Sequence, residues 1–246
     1  MINKIYIIPN LFTLGNLVSG FYATILALRG DFTQAAMFII LAAVLDSLDG
    51  RIARLTNSTS RFGVEFDSLA DLVSFGMAPA LMLYVFALED FGRIGWLSAM
   101  LLPVCGALRL ARFNVETINK KSKSSTFTGL PIPAAALTVT AYILAAHLYG
   151  WPAHKLILPF LVVAISYLMV SNIPYASMKG INLGMKESFR LLVIAALAIF
   201  ILMMYPYLIL FISTLSYVLS GPLTALYLHR KQFYARSVEA SERHIS

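Results

Sequence analysis

Long apolar runs, broken by short polar or proline-containing segments, dominate the hydropathy pattern of the chain. A helix needs roughly 20 mostly apolar residues to cross a bilayer, and several runs reach that length. The pattern predicts eight membrane-spanning helices, at 10–28, 33–54, 64–88, 94–113, 130–149, 155–173, 188–204 and 206–228. Pro131 and Pro133 suit the start of the fifth, and Pro206 separates the last two. The first run follows Lys4 as in a signal peptide, but no small-residue cleavage site ends it, so we interpret it as a retained helix.

The composition agrees with this pattern. The chain has 246 residues, of which 59% are hydrophobic and 13% are charged, whereas soluble domains carry about 25% charge. Eight spans leave little room for a separate soluble domain. The single cysteine, Cys105, excludes an intrachain disulfide and a cysteine-based zinc site. We therefore predict an all-α polytopic integral membrane protein.

The distribution of basic residues predicts the orientation of the helices. With the N-terminus in the cytoplasm, all of the 19 lysines and arginines lie on the cytoplasmic side except Arg29, Arg93 and Lys155. One missed helix would invert every later segment, so this asymmetry favours eight spans. We predict a protein of the inner (cytoplasmic) membrane with both termini in the cytoplasm. The net charge of +7 follows from the same rule, so we expect no nucleic-acid binding.

Four carboxylates lie at the cytoplasmic ends of the second and third spans. Ionisable side chains at membrane depth cost about 2.5–3.5 kcal/mol and mark functional sites. Asp46 and Asp49 are three residues apart, and Asp67 and Asp71 are four apart, so each pair shares one helical face. Two neighbouring antiparallel helices could turn these faces together. Four carboxylates at one point require cations, and oxygen ligands favour Mg²⁺ or Mn²⁺, with Ca²⁺ as an alternative at one position.

Two glycines and an arginine accompany the carboxylates. Gly50 and Gly63 permit either tight helix packing or close approach of a ligand to the backbone, and the sequence leaves both interpretations open. Arg54 suits a pyrophosphate. The residues therefore predict a divalent-metal site for a phosphorylated substrate at the cytoplasmic membrane surface. The alternatives are a cation-coupled transporter and a structural cluster of ion pairs.

The same residues form a motif that resembles the signature of the CDP-alcohol phosphatidyltransferase family. All eight fixed positions are present, as Asp46-x2-Asp49-Gly50-x2-Ala53-Arg54-x8-Gly63-x3-Asp67-x3-Asp71. The resemblance implies a six-helix family core at 1–175, an additional pair of transmembrane helices at 176–229 and a cytoplasmic tail at 230–246. It also implies a homodimer.

The resemblance further implies a role for each motif residue. The metal ligands, for two divalent ions, would be Asp46, Asp49, Asp67 and Asp71. Asp71 would also be the catalytic general base on the attacking hydroxyl. The residues that contact CDP would be Asp49, Gly50, Arg54 and Gly63. The alcohol oxygen would attack the lipid-side phosphorus of the CDP-activated lipid, and CMP would leave.

Other stretches are similar to the membrane-integral branch of this family that uses L-serine as the acceptor and CDP-diacylglycerol as the lipid donor. They are residues 9–16, 66–76, 109–114 and 127–133. Ser68 and Leu72 stand where the glycerol-phosphate branch tends to have proline and lysine. Glycerol phosphate, inositol phosphate or an archaeal CDP-ether lipid remain as alternative substrates.

The acceptor pocket has weaker candidates. Side chains that could bind the acceptor or a phosphate are Arg109, Arg112, Asn114 and Thr128. Arginine can grip a carboxylate through two parallel hydrogen bonds, although both arginines could instead follow the positive-inside rule or meet a lipid phosphate. Asn16 in the first span is expected to hydrogen-bond between helices or to line the pocket.

Overall fold

The computed structural model describes residues 7–56, 58, 60–119, 127–150, 158–175 and 204–243. Helix α1 (Ile7–Leu28) and helix α2 (Phe32–Leu55) form a hairpin. Gly30 turns the chain between them with a φ of 81°, a conformation that glycine adopts without steric cost. Ala23, Ala27, Ala35 and Ala36 are fully buried, because small side chains let the two helices approach closely.

The next segment is a long helical run that folds back on itself. Helix α3 (Arg61–Asp71) continues into a π-helical turn (Leu72–Met77), helix α4 (Ala78–Leu83), a second π-helical turn (Tyr84–Leu88) and a 3₁₀ turn (Glu89–Phe91). Helix α5 (Gly92–Asn119) starts at a glycine with a φ of 53°. The first π-helical turn follows Asp71 directly, and such turns frequently occur at functional sites.

Three more helices and a short strand pair complete the described part of the chain. Strand β1 (Phe127–Thr128) pairs antiparallel with β2 (Pro174–Tyr175), with Phe127 opposite Tyr175. Between them lie α6 (Ile132–Tyr149) and α7 (Leu158–Val170), and α8 (Pro206–Arg243) follows. Helix α8 extends beyond residue 230, so the first part of the predicted tail is helical.

Helix α8 docks against the strand pair through one tyrosine. The Tyr175 hydroxyl donates to the carbonyl oxygen of Val218 at 3.1 Å. A Cβ on Gly221 would lie 2.3 Å from Cζ of the Tyr175 ring, so only glycine fits there. Tyr217 packs beside Tyr175 with ring centroids 5.7 Å apart. The C-terminal helix is therefore fixed to the rest of the described fold.

The all-helical, membrane-type prediction is confirmed in part. Apart from the two-residue strands, the described elements are helical, and four of them are long and apolar enough to cross a membrane: Ile8–Leu28, Arg61–Glu116, Ile132–Tyr149 and Pro206–Tyr227. The exposed apolar side chains, such as Leu11, Phe21 and Phe160, suit contact with lipid. These features are consistent with an integral membrane protein.

The prediction of eight spans is not confirmed. The predicted spans 64–88 and 94–113 both lie within one helical stretch, Arg61–Glu116, because π-helical and 3₁₀ turns rather than an open loop connect them. Helix α7 is a shorter apolar helix. The predicted span 188–204 lies, except for Met204, outside the described residues.

Candidate active site

Three carboxylates meet where the end of α2 faces the start of α3. Asp46, Asp49 and Asp67 each place one carboxylate oxygen within 4.8 Å of the others. The Ser60 side chain caps α3 by accepting a hydrogen bond from the Gly63 N–H at 2.9 Å, which fixes the start of this helix. The predicted convergence of the two helical faces is therefore present for these three residues.

Asp71 lies one helical turn after Asp67 and belongs to the same electrostatic cluster. Only 7% of Asp71 is exposed, and its carboxylate interacts electrostatically with those of Asp46 and Asp67. Asn16 Nδ2 of α1 donates a hydrogen bond to Asp71 Oδ1 at 3.0 Å. One oxygen of Asp71 is thus held by an amide.

A second polar side chain of α1 reaches the cluster. Thr13 Oγ1 lies 2.8 Å from Asp49 Oδ2 and 3.2 Å from the carbonyl oxygen of Pro9. Since the carboxylate is the stronger acceptor, the hydroxyl donates mainly to Asp49. Sequence reasoning missed Thr13. The available signal was its position three residues before Asn16, on the same face of an otherwise apolar helix.

A cleft of about 150 Å³ opens beside the carboxylates. Asp49 and Asp67 line it, together with the other predicted CDP-contacting residues and parts of α1. The lining residues are Pro9, Asn10, Thr13, Asp49, Gly50, Ala53, Arg54, Ser58, Ser60, Gly63, Val64 and Asp67. Six of the eight motif residues, all except Asp46 and Asp71, therefore form one concave surface with the start of α1.

The two glycines of the motif differ in their surroundings. A Cβ on Gly63 would lie 3.1 Å from Ser60 Oγ and 3.3 Å from Asn10 Oδ1, so the helix cap and α1 crowd this position. Among the residues that the structure describes, a Cβ on Gly50 would meet only the Arg54 guanidinium, at an ordinary 3.5 Å. Helix packing therefore does not require glycine at position 50, and close approach of a ligand is the better explanation there.

The cluster fits a divalent cation held by oxygen atoms. Asp67 Oδ1 is buried and has no hydrogen-bond partner in the described part of the chain, and such an atom is rare in native proteins. Neighbouring carboxylates repel one another unless a positive charge lies between them. The three grouped side chains offer carboxylate oxygens alone, the ligands that Mg²⁺, Mn²⁺ and Ca²⁺ prefer.

Arg109 of α5 is a further charged side chain that interacts with the carboxylate cluster. Its guanidinium interacts electrostatically with Asp71 and with Tyr217 of α8. Its Nε is buried and lacks a hydrogen-bond partner among the described residues. This arginine therefore retains an unpartnered donor among the described residues, and its predicted role in binding the acceptor or a phosphate stays a prediction.

The other candidates for binding the acceptor either contact side chains of the same chain or have a side chain outside the described residues. Arg112 pairs with Glu116 at 3.0 Å and donates to Asn172 Oδ1 at 2.6 Å. Asn114 Nδ2 donates to Ser68 Oγ at 3.0 Å and to a carboxylate oxygen of Glu65 at 3.2 Å. Thr128 forms part of β1, and its side chain is outside the described residues.

Comparison with known proteins agrees with the motif. The model of the CDP-alcohol phosphatidyltransferase family matches residues 6–170, a range that includes all four carboxylates. The chain is 42% identical over 199 residues to the CDP-diacylglycerol–serine O-phosphatidyltransferase of Helicobacter pylori, covering 80% of this chain and 83% of the relative. It is 38% identical to the protein of the same name from Bacillus subtilis, over 70% of this chain and 91% of the relative. The archaetidylserine synthase of Methanothermobacter thermautotrophicus is 40% identical, over 71% of this chain and 72% of the relative.

Proposed function

The chain belongs to the CDP-alcohol phosphatidyltransferase family, and we propose that it transfers the phosphatidyl group of CDP-diacylglycerol to L-serine, giving phosphatidylserine and CMP. The observation that carries this proposal is the meeting of Asp46, Asp49 and Asp67 beside a cleft lined by Gly50 and Arg54. The similarity to serine-using relatives, over 80% of the chain for the Helicobacter pylori protein, supports the choice of acceptor.

The cleft is the proposed site for the CDP part of the lipid. Arg54 contributes a guanidinium that can form two parallel hydrogen bonds with a phosphate. Gly50 leaves its backbone open to the cleft, so the ribose or the cytosine ring can lie against it. Asp49 and Gly63 complete the predicted set of CDP contacts.

Asp46, Asp49, Asp67 and Asp71 would hold two divalent ions, Mg²⁺ or Mn²⁺. The unpartnered Asp67 Oδ1 supports this assignment. When bound, such ions neutralise phosphate oxygens and stabilise the negative charge that develops on the departing phosphate. The protein contributes the fixed carboxylate geometry, to which the Thr13–Asp49 hydrogen bond adds.

Asp71 is the proposed general base. Asn16 donates one hydrogen bond to its Oδ1 and orients the carboxylate, and Oδ2 is the proposed acceptor of the serine hydroxyl proton. As that proton moves to Asp71, the serine oxygen forms a bond to the lipid-side phosphorus. The bond between that phosphorus and the bridging oxygen breaks, and the electron pair leaves with CMP.

Arg109 is the proposed partner of the serine carboxylate. Its Nε has no hydrogen-bond partner among the described residues, and its guanidinium interacts electrostatically with Asp71. A carboxylate there would satisfy this donor while the adjacent hydroxyl faces the base. Arg112 is bound to Glu116 and Asn172, so the available donors favour Arg109.

The names of the relatives support L-serine as the acceptor more strongly than they support CDP-diacylglycerol as the lipid donor. The names of the bacterial and archaeal relatives share serine but differ in the lipid group. A CDP-activated ether lipid is therefore the second candidate donor, with the same acceptor and the same carboxylates.

The proposed setting is the cytoplasmic face of the inner membrane, with the enzyme as a homodimer. The charge asymmetry along the chain supports this orientation. A cation-coupled transporter would use the carboxylates without CMP chemistry, and it would leave the cleft at Gly50 and Arg54 without a role.

CMP release tests the proposal directly. The purified protein in detergent is given CDP-diacylglycerol and Mn²⁺ or Mg²⁺, with and without L-serine. We expect release that requires both metal and serine. Release with glycerol phosphate or inositol phosphate but not with serine would overturn the acceptor assignment. No release from folded protein with any acceptor would favour transport.

A further inference from the structure

Asn16 is buried and is held by hydrogen bonds of both its side chain and its backbone. Its side chain is fully buried, and its Nδ2 donates to Asp71 Oδ1 at 3.0 Å. Its backbone carbonyl oxygen accepts a hydrogen bond from Ser74 Oγ at 2.9 Å. The two segments touch at Gly20, where an added Cβ would lie 2.1 Å from Ser74 Oγ. Helix α1 therefore cannot rotate Asn16 away from Asp71 without breaking this junction.

The hydrogen bond to Asp71 fixes the orientation of the Asn16 amide and leaves its oxygen without a hydrogen-bond partner among the described residues. A carboxylate accepts hydrogen bonds and does not donate them, so the NH₂ group must face Asp71. The carbonyl oxygen Oδ1 is then buried, and it has no hydrogen-bond partner in the part of the chain that the structure describes. A buried acceptor without a donor is costly and uncommon. This atom is the expected contact for a donor that arrives with a ligand.

We propose that Asn16 determines the preference for an acceptor alcohol with an ammonium group. Its Nδ2 positions Asp71, and its Oδ1 accepts a hydrogen bond from the ammonium. The inference rests on the proposed function and names a specificity residue for it. In L-serine the hydroxyl and the ammonium are on adjacent carbon atoms. The hydroxyl could therefore face Asp71 while the ammonium faces the neighbouring Asn16 Oδ1. Arg109 remains for the carboxylate.

The chemistry explains why acceptors without an ammonium would be disfavoured. Such an alcohol could still give its hydroxyl proton to Asp71, but it would leave Oδ1 buried and unpaired. A site built around a substrate donor rejects analogues that lack it much more strongly than an apolar pocket rejects a missing methylene. The preference would thus come from α1 rather than from the carboxylate motif of α2 and α3.

The test compares Asn16→Ala with Ser74→Ala. Asn16→Ala removes both amide contacts, and we expect the KM for L-serine to rise about tenfold and kcat to fall, because hydrogen bonds to charged groups are strong. The KM for CDP-diacylglycerol should stay within about twofold. Ser74→Ala weakens the same helix junction but keeps the amide and the close contact at Gly20, so it should lower the melting temperature and change the KM for L-serine by less than about twofold. Asn16→Ser replaces Asn16→Ala if the latter does not fold.

Competing acceptors separate a binding role from a packing role. Ethanolamine keeps the ammonium and lacks the carboxylate, whereas 3-hydroxypropionate keeps the carboxylate and lacks the ammonium. Asn16→Ala should weaken inhibition by ethanolamine about tenfold and inhibition by 3-hydroxypropionate by about twofold or less, because the second competitor loses only the positioning of Asp71. Equal loss for both competitors, or an unchanged KM for L-serine, would overturn the inference. Absence of serine-dependent CMP release from the unaltered enzyme would instead overturn the proposed function.

Discussion

The Thr13 hydroxyl of α1 lies 2.8 Å from Asp49 Oδ2 of α2. Together with the Asn16–Asp71 hydrogen bond, it places two polar side chains of the first helix against two carboxylates of the candidate metal site. The two α1 residues are three positions apart and therefore share a helical face. Helix α1 thus supplies hydrogen-bond donors to two of the carboxylates.

The first prediction concerns the metal requirement. Asp49→Ala removes a proposed ligand, so the concentration of Mn²⁺ or Mg²⁺ for half-maximal CMP release should rise by at least tenfold, along with a lower rate. Thr13→Val keeps this ligand but removes the hydroxyl that donates to it, and loss of such a contact typically costs about 10–100-fold in metal affinity or activity. Metal titrations of both variants, with Thr13→Ser as the control that keeps the hydroxyl, check this. An unchanged titration for Asp49→Ala would remove Asp49 from the set of ligands.

The second prediction concerns the general base. Asp71→Asn keeps the size of the side chain but cannot accept the hydroxyl proton, so turnover should fall by about 10²–10⁴-fold. Binding of CDP-diacylglycerol should remain largely intact, because Asp71 is not among the residues that line the cleft. Single-turnover CMP release and equilibrium binding of the lipid are the two measurements. Near-normal turnover would refute the assignment.

The third prediction concerns the acceptor carboxylate. Arg109→Lys keeps the charge but loses the planar pair of donors, so the KM for L-serine should rise about tenfold. Inhibition by ethanolamine, which has no carboxylate, should be unaffected. Arg112→Lys is the matched variant three residues away, where the guanidinium contacts Glu116 and Asn172, and we expect it to alter stability more than KM. The opposite ranking would transfer the role to Arg112.

The fourth prediction concerns the docking of α8. Gly221→Ala places a methyl group 2.3 Å from the Tyr175 ring, so the helix must shift and the protein should lose about 1–3 kcal/mol of stability. Thermal unfolding in detergent measures this loss. Ser220→Ala on the same helix removes a hydrogen bond from the Ser220 hydroxyl to the backbone carbonyl oxygen of Tyr217, within α8. It should have little effect. Equal melting temperatures for both variants would contradict the described contact between α8 and β2.

Sequence periodicity was sufficient for the part of the site that lies on single helices. Asp46 and Asp49 share a face because residues three apart always do in an α-helix, and the same holds for Asp67 and Asp71 at four apart. The hydropathy pattern also located the long apolar helices. Helical spacing and hydropathy both depend only on residues that are neighbours along the chain.

Tertiary structure alone decided which other side chains face these carboxylates. Arg109 and Arg112 look alike in the sequence, yet Arg109 interacts electrostatically with Asp71 whereas Arg112 pairs with Glu116. Likewise, Thr13 and Asn16 meet the cluster because of how α1 packs on α2 and on the π-helical turn after Asp71. The rotation of a helix about its axis depends on the small residues where distant segments touch, such as Gly20 against Ser74, and local periodicity carries no information about those partners.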